Sequence, residues 1–262
     1  MPADPMPADP MPAEPTPDEP TPDEPVPSEP TPDEPTPDDP VMVRRSGALV
    51  RATLSRPPVN ALSSAVYRRL TEVCRGMRPD ECLLIDASGR TFSAGQDLHE
   101  HRRSVAAGRL HETLTEGAAA LTAVLRCPAP VVVAVRGPAI GAGALIAAAA
   151  DIAVMSTEAW LRLPELDAGV TVGYAILSRL LPPPMARRAL LTAEPIAATQ
   201  LAALGTAVVC PPGDLGTTAA DIALALLGHP PDLLSLARHG WGGGEREATA
   251  RAYEMEVRDF LR

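Results

Sequence analysis

The stretch APVVVAVRGPAIGAGALIAAAADIAVMS, residues 129–156, decides the fold of this chain. Two runs rich in valine and isoleucine, 131–137 and 152–156, predict buried strands, because strands covered on both faces are apolar throughout. Between them, a tight turn over 138–143 leads into a short, wholly apolar helix that ends at Asp151. A strand, a buried helix and another strand in this order predict an α/β core.

Upstream of this stretch, the pattern again alternates between strand and helix. The apolar runs ALVRATL (48–54) and CLLIDAS (82–88) predict strands. Between them, Ser63 and Ser64 offer an N-cap to an amphipathic helix that runs to about Met77. The first of these runs is predicted to be the first strand of the fold.

Helices dominate downstream. A helical region is predicted over about 105–126, and everything after Gly173 is mainly helical, with one short strand near 206–210. The chain is therefore predicted to form an α/β core over 45–195 and a helical C-terminal region over 196–262.

The N-terminus has a different composition from the rest. Residues 1–40 form eight five-residue blocks that hold 16 of the 31 prolines, 12 of the 33 acidic residues and no base. Proline at this density removes backbone donors and fixes φ, and too few large apolar residues remain to offset the ordering entropy. Residues 1–44 are predicted to be a disordered polyproline-II tail, either a solubilising arm or a ligand for a proline-recognition domain. The net charge of −10 belongs to this tail.

Composition excludes several classes of chemistry. All 23 basic residues are arginine, so Schiff-base chemistry and a lysine general base are excluded. The arginines occur in scattered pairs without interleaved aromatic residues, which argues against a nucleic-acid surface. Four cysteines without a CxxC pair predict buried, reduced thiols, and no metal site is expected.

The chain carries no signal for a membrane. No uninterrupted apolar run reaches the length of a membrane-spanning helix, and the N-terminus does not have the basic and then apolar order of a signal peptide. A soluble, cytoplasmic protein is the expectation.

Two loops could hold a site, because each follows a predicted buried strand and opens a helix. FSAGQDL (92–98) and IGAGAL (140–145) contain small residues that let a ligand approach the backbone, and the N–H groups at a helix start are unpaired. Two such donors that converge from separate loops would form an oxyanion hole. Either loop alone would more often be a packing device.

Together these segments resemble the crotonase superfamily, also called the enoyl-CoA hydratase/isomerase family. The resemblance covers about residues 47–240 and rests on the two loops, on the stretch 129–156, and on LSRPPVNALS (54–63), LPELDAGV (163–170) and LTAEPIAATQLAALGTAVVC (191–210). It implies a spiral of repeated ββα units, an acyl-CoA thioester as substrate and a homotrimer or dimer of trimers. Coenzyme A would arrive as part of the substrate, so no separate cofactor is expected.

The resemblance also assigns catalytic roles. It implies that the N–H groups of Gln96 and Ala142 are the two oxyanion donors and that Glu165 is the acid/base. Hydratases of the family carry a second carboxylate at the position of Leu145, which cannot transfer a proton. Arg162 stands where the family usually has glycine, which predicts a reshaped acyl pocket.

The resemblance further implies a substrate-binding neighbourhood around both loops. Its members are Arg56, Asn60, Ala61, Ala94, Gly95, Gly141 and Leu145. Asp97 is predicted to be a helix N-cap, and His99, His101 and His111 to be exposed helix residues.

One carboxylate can move a proton between two carbons, whereas hydration is easier with a second group to orient the water. The expected function is therefore enolate chemistry on an acyl-CoA thioester, with double-bond isomerisation favoured. The alternatives are a hydratase, which is a lyase, a decarboxylase or C–C bond-forming relative, and a catalytically silent acyl-CoA-binding protein of the same fold.

Overall fold

The computed structural model describes residues 39–262, so the repeats up to residue 38, on which the predicted disorder falls, lie outside the described residues. Strand β1 (Val41–Ser46) begins inside the predicted tail, and the boundary at residue 44 is therefore wrong. Val41 and Val43 are buried in the core, and β1 pairs antiparallel with the strand that was predicted to be the first. The sequence does not predict this extra strand because its C-terminal half, RRS, is polar.

The strands after β1 are β2 (Leu49–Leu54), β3 (Cys82–Ala87), β4 (Val131–Val135), β5 (Pro138–Ile140), β6 (Ile152–Ser156), β7 (Trp160–Arg162), β8 (Ile196–Ala197) and β9 (Val208–Cys210). The helices are α1 (Ser64–Arg75), α2 (Leu98–Ala106), α3 (Leu110–Leu125), α4 (Ala142–Ala149), α5 (Tyr174–Leu177), α6 (Pro183–Thr192), α7 (Ala198–Ala203), α8 (Leu215–Leu227), α9 (Pro231–Arg238) and α10 (Gly244–Phe260), with a π-helical turn (His239–Gly243) before α10.

Within the described residues, the main sheet has the order β1-β2-β3-β4-β6-β9 and is parallel except for β1. A smaller sheet has the order β5-β7-β8. The predicted α/β class is confirmed, because helices connect the strands of a mainly parallel sheet. Because β3 and β4 are parallel neighbours, the segments that follow them leave the same edge of the sheet. The two loops predicted to hold the site therefore start side by side.

Helices cover both faces of the main sheet. On one face, α1, α3 and α4 bury the larger core, and on the other, α8 packs Leu215, Ala219 and Ala223 against Leu84 and Val132. Since β9 extends the sheet and α8 covers it, the predicted C-terminal region is part of the same core.

The helical region predicted over 105–126 is two helices, α2 and α3, separated near Gly108. Helix α2 starts earlier than predicted because Asp97 caps it, and its Oδ1 accepts hydrogen bonds from His99 N and Glu100 N at 2.9 and 3.0 Å. The predicted N-cap role of Asp97 is thereby confirmed. Capping fixes α2 directly behind the first loop.

Helix α10 closes the fold over α3 and α5. Its buried residues include Tyr253, and the carboxylate of Glu256 accepts hydrogen bonds from Gly173 N and Ala175 N, each at 2.7 Å. Further ion pairs join Arg126 at the end of α3 to Glu247 of α10. The last helix is therefore tied to the start of α5 and contributes a wall to the interior.

Among residues 39–262, no helix has both the length and the apolar character needed to cross a bilayer. The four cysteines are free thiols, three buried and Cys210 half-buried. Within the same residues, no group of three or more His, Cys, Asp or Glu side chains is arranged to hold a metal ion.

Candidate active site

The loop after β3 is held in place by Asn60. Its side-chain amide donates to the carbonyls of Ser88 and Thr91, both at 2.8 Å, and its Oδ1 accepts from Arg56 N at 2.9 Å. Its backbone carbonyl accepts from Ser93 Oγ at 2.8 Å. Asn60 is buried and has no amide hydrogen left for a ligand. It therefore positions the loop, and this differs from the substrate contact that the resemblance implies.

Within residues 92–97 of this loop, one peptide N–H is unpaired. Leu62 N donates to Gly95 O at 2.8 Å, and Asp97 N donates to Leu62 O at 3.0 Å. Gln96 N, which lies between them, has no hydrogen-bond partner among residues 39–262. The loop thus presents Gln96 N–H as a free donor.

A second free donor lies at the start of α4. Gly141 N donates to Arg162 O at 2.8 Å, and the next residue, Ala142, is the first of the helix. Its N–H has no partner in the described part of the chain, as expected for a first-turn residue. The side chain of Arg162 is exposed and donates to Ala193 O at 2.9 Å. It does not line the cavity, so it does not reshape the acyl pocket as predicted.

Glycine at two positions allows the loops to touch. A Cβ at Gly95 would lie 2.7 Å from Ile140 O and 3.6 Å from the Cα of Gly141. Both glycines have a positive φ, +82° and +53°, which disfavours residues with a Cβ. The contact sets the free donors of Gln96 and Ala142 on adjacent loops at one edge of the sheet.

Glu165 brings its carboxylate to these donors. Its backbone carbonyl accepts from Ala168 N at 3.1 Å and Val170 N at 2.8 Å, which fixes the tight loop after β7. Its Oε1 lies 3.1 Å from the point where a Cβ of Gly141 would stand, and its Oε2 is buried without a partner in residues 39–262. Burial raises the pKa of Glu165 to about 7. A carboxyl group with this pKa can both accept and return a proton near neutral pH.

The donors and the carboxylate face an inner cavity of about 230 Å³. Its wall is mostly apolar, and Glu165 is the one acid among the described residues that line it. Leu145 lies in this wall, 2% exposed, with its Cδ atoms packed against Gly173. At the position where the resemblance implies a second carboxylate in hydratases, the cavity wall is therefore a hydrocarbon side chain.

Besides the hydroxyl of Thr113, which donates to Ser104 Oγ at 2.9 Å, three polar groups in the wall were not singled out from the sequence. They are the side-chain amide of Gln96, whose Nε2 is buried without a partner, and the hydroxyls of Tyr67 and Tyr253. The tyrosines come from α1 and α10 and are 2% and 4% exposed. The sequence contains a signal for the tyrosines, because it has only three of them, and Tyr67 and Tyr253 lie on the apolar faces of helices.

An outer groove of about 470 Å³ adjoins the inner cavity and shares Ala94, Gln96 and Leu98 with it. The other residues that line the groove are Arg56, Pro57, Pro58, Val59, Ala61, Asp97 and His99. The guanidinium of Arg56 pairs with Asp97 at 2.6 Å and donates to Ala61 O at 3.1 Å. Of the predicted substrate-binding residues, the structure thus brings Arg56, Ala61 and Ala94 to the groove and leaves Asn60 beneath it.

Comparison with known proteins agrees with this geometry. Residues 44–260 match the family model described as Enoyl-CoA hydratase/isomerase. The "(7aS)-7a-methyl-1,5-dioxo-2,3,5,6,7,7a-hexahydro-1H-indene-carboxyl-CoA hydrolase" of Rhodococcus jostii is 33% identical over 79% of this chain and 82% of its own length. The short-chain-enoyl-CoA hydratase of Clostridium acetobutylicum is 29% identical, with 83% of this chain and 87% of that protein covered.

Solved structures show the same architecture. An enoyl-CoA hydratase/isomerase from Mycobacterium paratuberculosis superposes with a TM-score of 0.74 at 26% identity, covering 86% of this chain and 94% of that one. An enoyl-CoA hydratase/isomerase from Xanthobacter autotrophicus superposes with a TM-score of 0.76 at 23% identity, covering 85% of this chain and 86% of that one.

Proposed function

Because the chain belongs to the enoyl-CoA hydratase/isomerase family, we propose that it binds an acyl-CoA thioester and stabilises the thioester enolate between the N–H groups of Gln96 and Ala142. Glu165 then moves the proton. The observation that carries this proposal is the buried, unpartnered carboxylate of Glu165 beside two free peptide donors.

The chemistry follows from the positions of these groups. The thioester oxygen accepts hydrogen bonds from both N–H groups, and these bonds strengthen as negative charge develops on the oxygen. The carbon next to the carbonyl, or a carbon conjugated with it, becomes acidic enough to lose a proton. Glu165 accepts this proton. In an apolar cavity the protonated carboxyl is stable, so it can return the proton to a different carbon.

This arrangement supports double-bond isomerisation as the reaction. The proton leaves one carbon and returns to another, which one carboxyl group can accomplish without water. Hydration needs a water molecule oriented by a second polar group. The resemblance implies this group at position 145, where this chain has a buried leucine.

The outer groove fits the coenzyme A portion of the substrate, and Ala61 and Ala94 in its wall let the thioester arm reach the two donors. Arg56 is already neutralised by Asp97, so its main role is to hold the groove together, with a weaker contribution to phosphate binding. His99, exposed at the rim, is a further candidate for that contact.

Hydrolysis is a second candidate, favoured by the relative of Rhodococcus jostii, whose name describes a hydrolase of a dioxo bicyclic carboxyl-CoA. In this chain, Glu165 would remove a proton from water as the oxygen attacks a carbonyl carbon, and the two N–H groups would hold the resulting oxyanion. The proton would then go to the leaving sulfur or carbon.

A panel of thioesters separates the candidates. Purified protein is incubated with 3-enoyl-CoA, 2-enoyl-CoA and cyclic diketone CoA esters, and the products are identified by mass spectrometry and ultraviolet absorbance. Isomerisation leaves the mass unchanged and creates a conjugated thioester. Hydration adds one water to a 2-enoyl-CoA and removes its conjugated double bond, whereas hydrolysis of a ring C–C bond adds one water to a cyclic diketone ester. Hydrolysis of the thioester bond instead releases free coenzyme A and a carboxylic acid. We expect isomerisation that is abolished in Glu165→Gln and retained in Glu158→Gln, an exposed control. Activity that survives in Glu165→Gln would refute the single-base mechanism, and binding without turnover would indicate a silent protein.

A further inference from the structure

Two tyrosine hydroxyls in the inner cavity have no role in the proton transfer. Tyr67 and Tyr253 line the cavity, and neither hydroxyl has a hydrogen-bond partner among residues 39–262. A ligand that fills the cavity shuts these hydroxyls off from water, and a polar group left unpaired away from water is costly. In this cavity, the available partner is whatever fills it.

The space beside the tyrosines is kept open by the backbone. Helix α3 runs between α1 and α10, and a Cβ at Gly117 would lie 3.4 Å from the Cζ of Tyr67 and 3.7 Å from its hydroxyl oxygen. Glycine at this position therefore leaves open the space beside the hydroxyl, and both residues line the cavity. The acyl end of a bound substrate can reach it.

Both hydroxyls are hydrogen-bond donors at neutral pH. Burial raises the pKa of Tyr67, and the negative charges of Glu100 and Glu165 add to this effect. Burial is also the main cause of the raised pKa of Tyr253, followed by the influence of Tyr67. Both side chains line the same cavity, and each keeps its proton.

The remaining wall determines what these donors are for. It is formed largely by hydrocarbon side chains such as Leu114, Leu121, Val170 and Val172. A saturated or unsaturated hydrocarbon chain would satisfy these side chains and leave both hydroxyls buried without an acceptor. A carbonyl oxygen has two lone pairs and accepts two hydrogen bonds, which matches a pair of donors.

We propose that the inner cavity selects acyl-CoA thioesters that carry a keto group beyond the reacting carbons, and that Tyr67 and Tyr253 bind the oxygen of this group. This inference rests on the proposed function in one respect: the thioester end must occupy the site formed by Gln96, Ala142 and Glu165. The tyrosines act as specificity residues and take no part in proton transfer.

Binding measurements test the inference without requiring turnover. Saturated, medium-chain acyl-CoA thioesters, each with and without one keto group at successive positions beyond the β-carbon, are titrated into the full chain by calorimetry. We expect at least one keto thioester to bind about tenfold more tightly than its hydrocarbon parent.

Tyr67→Phe and Tyr253→Phe remove only the hydroxyl, and each should reduce the preference severalfold while hydrocarbon binding stays equal or improves. Tyr174→Phe, at the surface, is the matched control and should keep the preference.

The outcomes are distinct. Equal affinity for keto and hydrocarbon thioesters, or a preference that survives in the folded double phenylalanine variant, overturns the inference. If hydrocarbon 3-enoyl-CoA is then still converted in a reaction that requires Glu165, the proposed function stands alone. Failure of every thioester to bind overturns both. Circular dichroism confirms that the variants fold.

Discussion

Replacing Glu165 with glutamine should stabilise the protein at the same time as it abolishes turnover. The carboxylate is buried with one oxygen unpaired, and burial raises its pKa from an ordinary 4.5 to about 7. The folded state thus binds this proton more tightly than the unfolded state does. Stability is greatest below the unfolded pKa and falls as the pH rises through the window from 4.5 to about 7.

The size of this effect follows from the shift. One pKa unit corresponds to about 1.4 kcal/mol, so ionisation of Glu165 costs the folded state about 3 kcal/mol at pH values above the window. Glutamine cannot ionise and avoids this loss, although its amide hydrogens remain without partners at a cost of about 1 kcal/mol. Glu165→Gln should therefore be about 2 kcal/mol more stable than the wild type near pH 8 and slightly less stable near pH 4.5.

Urea denaturation followed by circular dichroism at a series of pH values measures this difference. Glu158→Gln is the control, because Glu158 is an exposed glutamate without an ion pair among the described residues. Its difference from the wild type should be small at every pH. A difference for Glu165→Gln that does not change with pH would show that the carboxylate is not destabilised by burial. If Glu165→Gln instead becomes less stable than the wild type as the pH rises, the charged form of Glu165 has a favourable partner in the fold.

The other predictions concern the loops and the pH dependence. In the wild type, kcat/KM for isomerisation should rise with pH through about 7, because the free enzyme needs Glu165 ionised; a flat profile would contradict its role as base. Ala142→Pro removes a donor and should lower kcat about 10² to 10³-fold, whereas Ala142→Gly should have a mild effect; equal effects would place the oxyanion hole elsewhere. Asn60→Ala leaves two loop carbonyls without their donor and should lower the free energy of unfolding by about 1 to 3 kcal/mol in urea titrations, with kcat falling more than KM changes. Leu145→Glu supplies the missing carboxylate and should raise the hydration of 2-enoyl-CoA in a spectrophotometric assay, while a variant that unfolds would show that Leu145 is required for packing.

Much of the fold could be predicted from the sequence because its signals are local. The runs that form β3, β4 and β6 are mostly apolar. The cap of α2 depends on Asp97 and on the N–H groups of the second and third residues after it. A short helix after the small-residue turn was predicted, although α4 begins at Ala142, inside the turn predicted over 138–143. Each of these features depends on contiguous residues, so no knowledge of distant contacts was needed.

The parts that could not be predicted depend on contacts between distant segments. Tyr67 and Tyr253 are 186 positions apart and line one cavity only because α1 and α10 pack against the same helix. From the sequence, each is therefore interpreted as an ordinary core residue. Asn60 lies within a recognisable motif, but its two amide hydrogens are taken by carbonyls of residues 88 and 91. A polar residue near a site was therefore interpreted as a ligand contact when it supports the loop instead.

The contact between Gly95 and Gly141 has a consequence for how the chain tolerates mutation. The donors are peptide groups, so the side chain of Ala142 carries none of the oxyanion chemistry, whereas a methyl group at Gly95 would collide with Ile140 O. In a saturation mutagenesis experiment, position 142 should accept several small residues, and positions 95 and 141 should accept almost none. In the oxyanion hole, intolerance to substitution would then be greater at Gly95 and Gly141 than at the donor residue Ala142. A search that ranks positions by mutational sensitivity would select these two glycines before the donor.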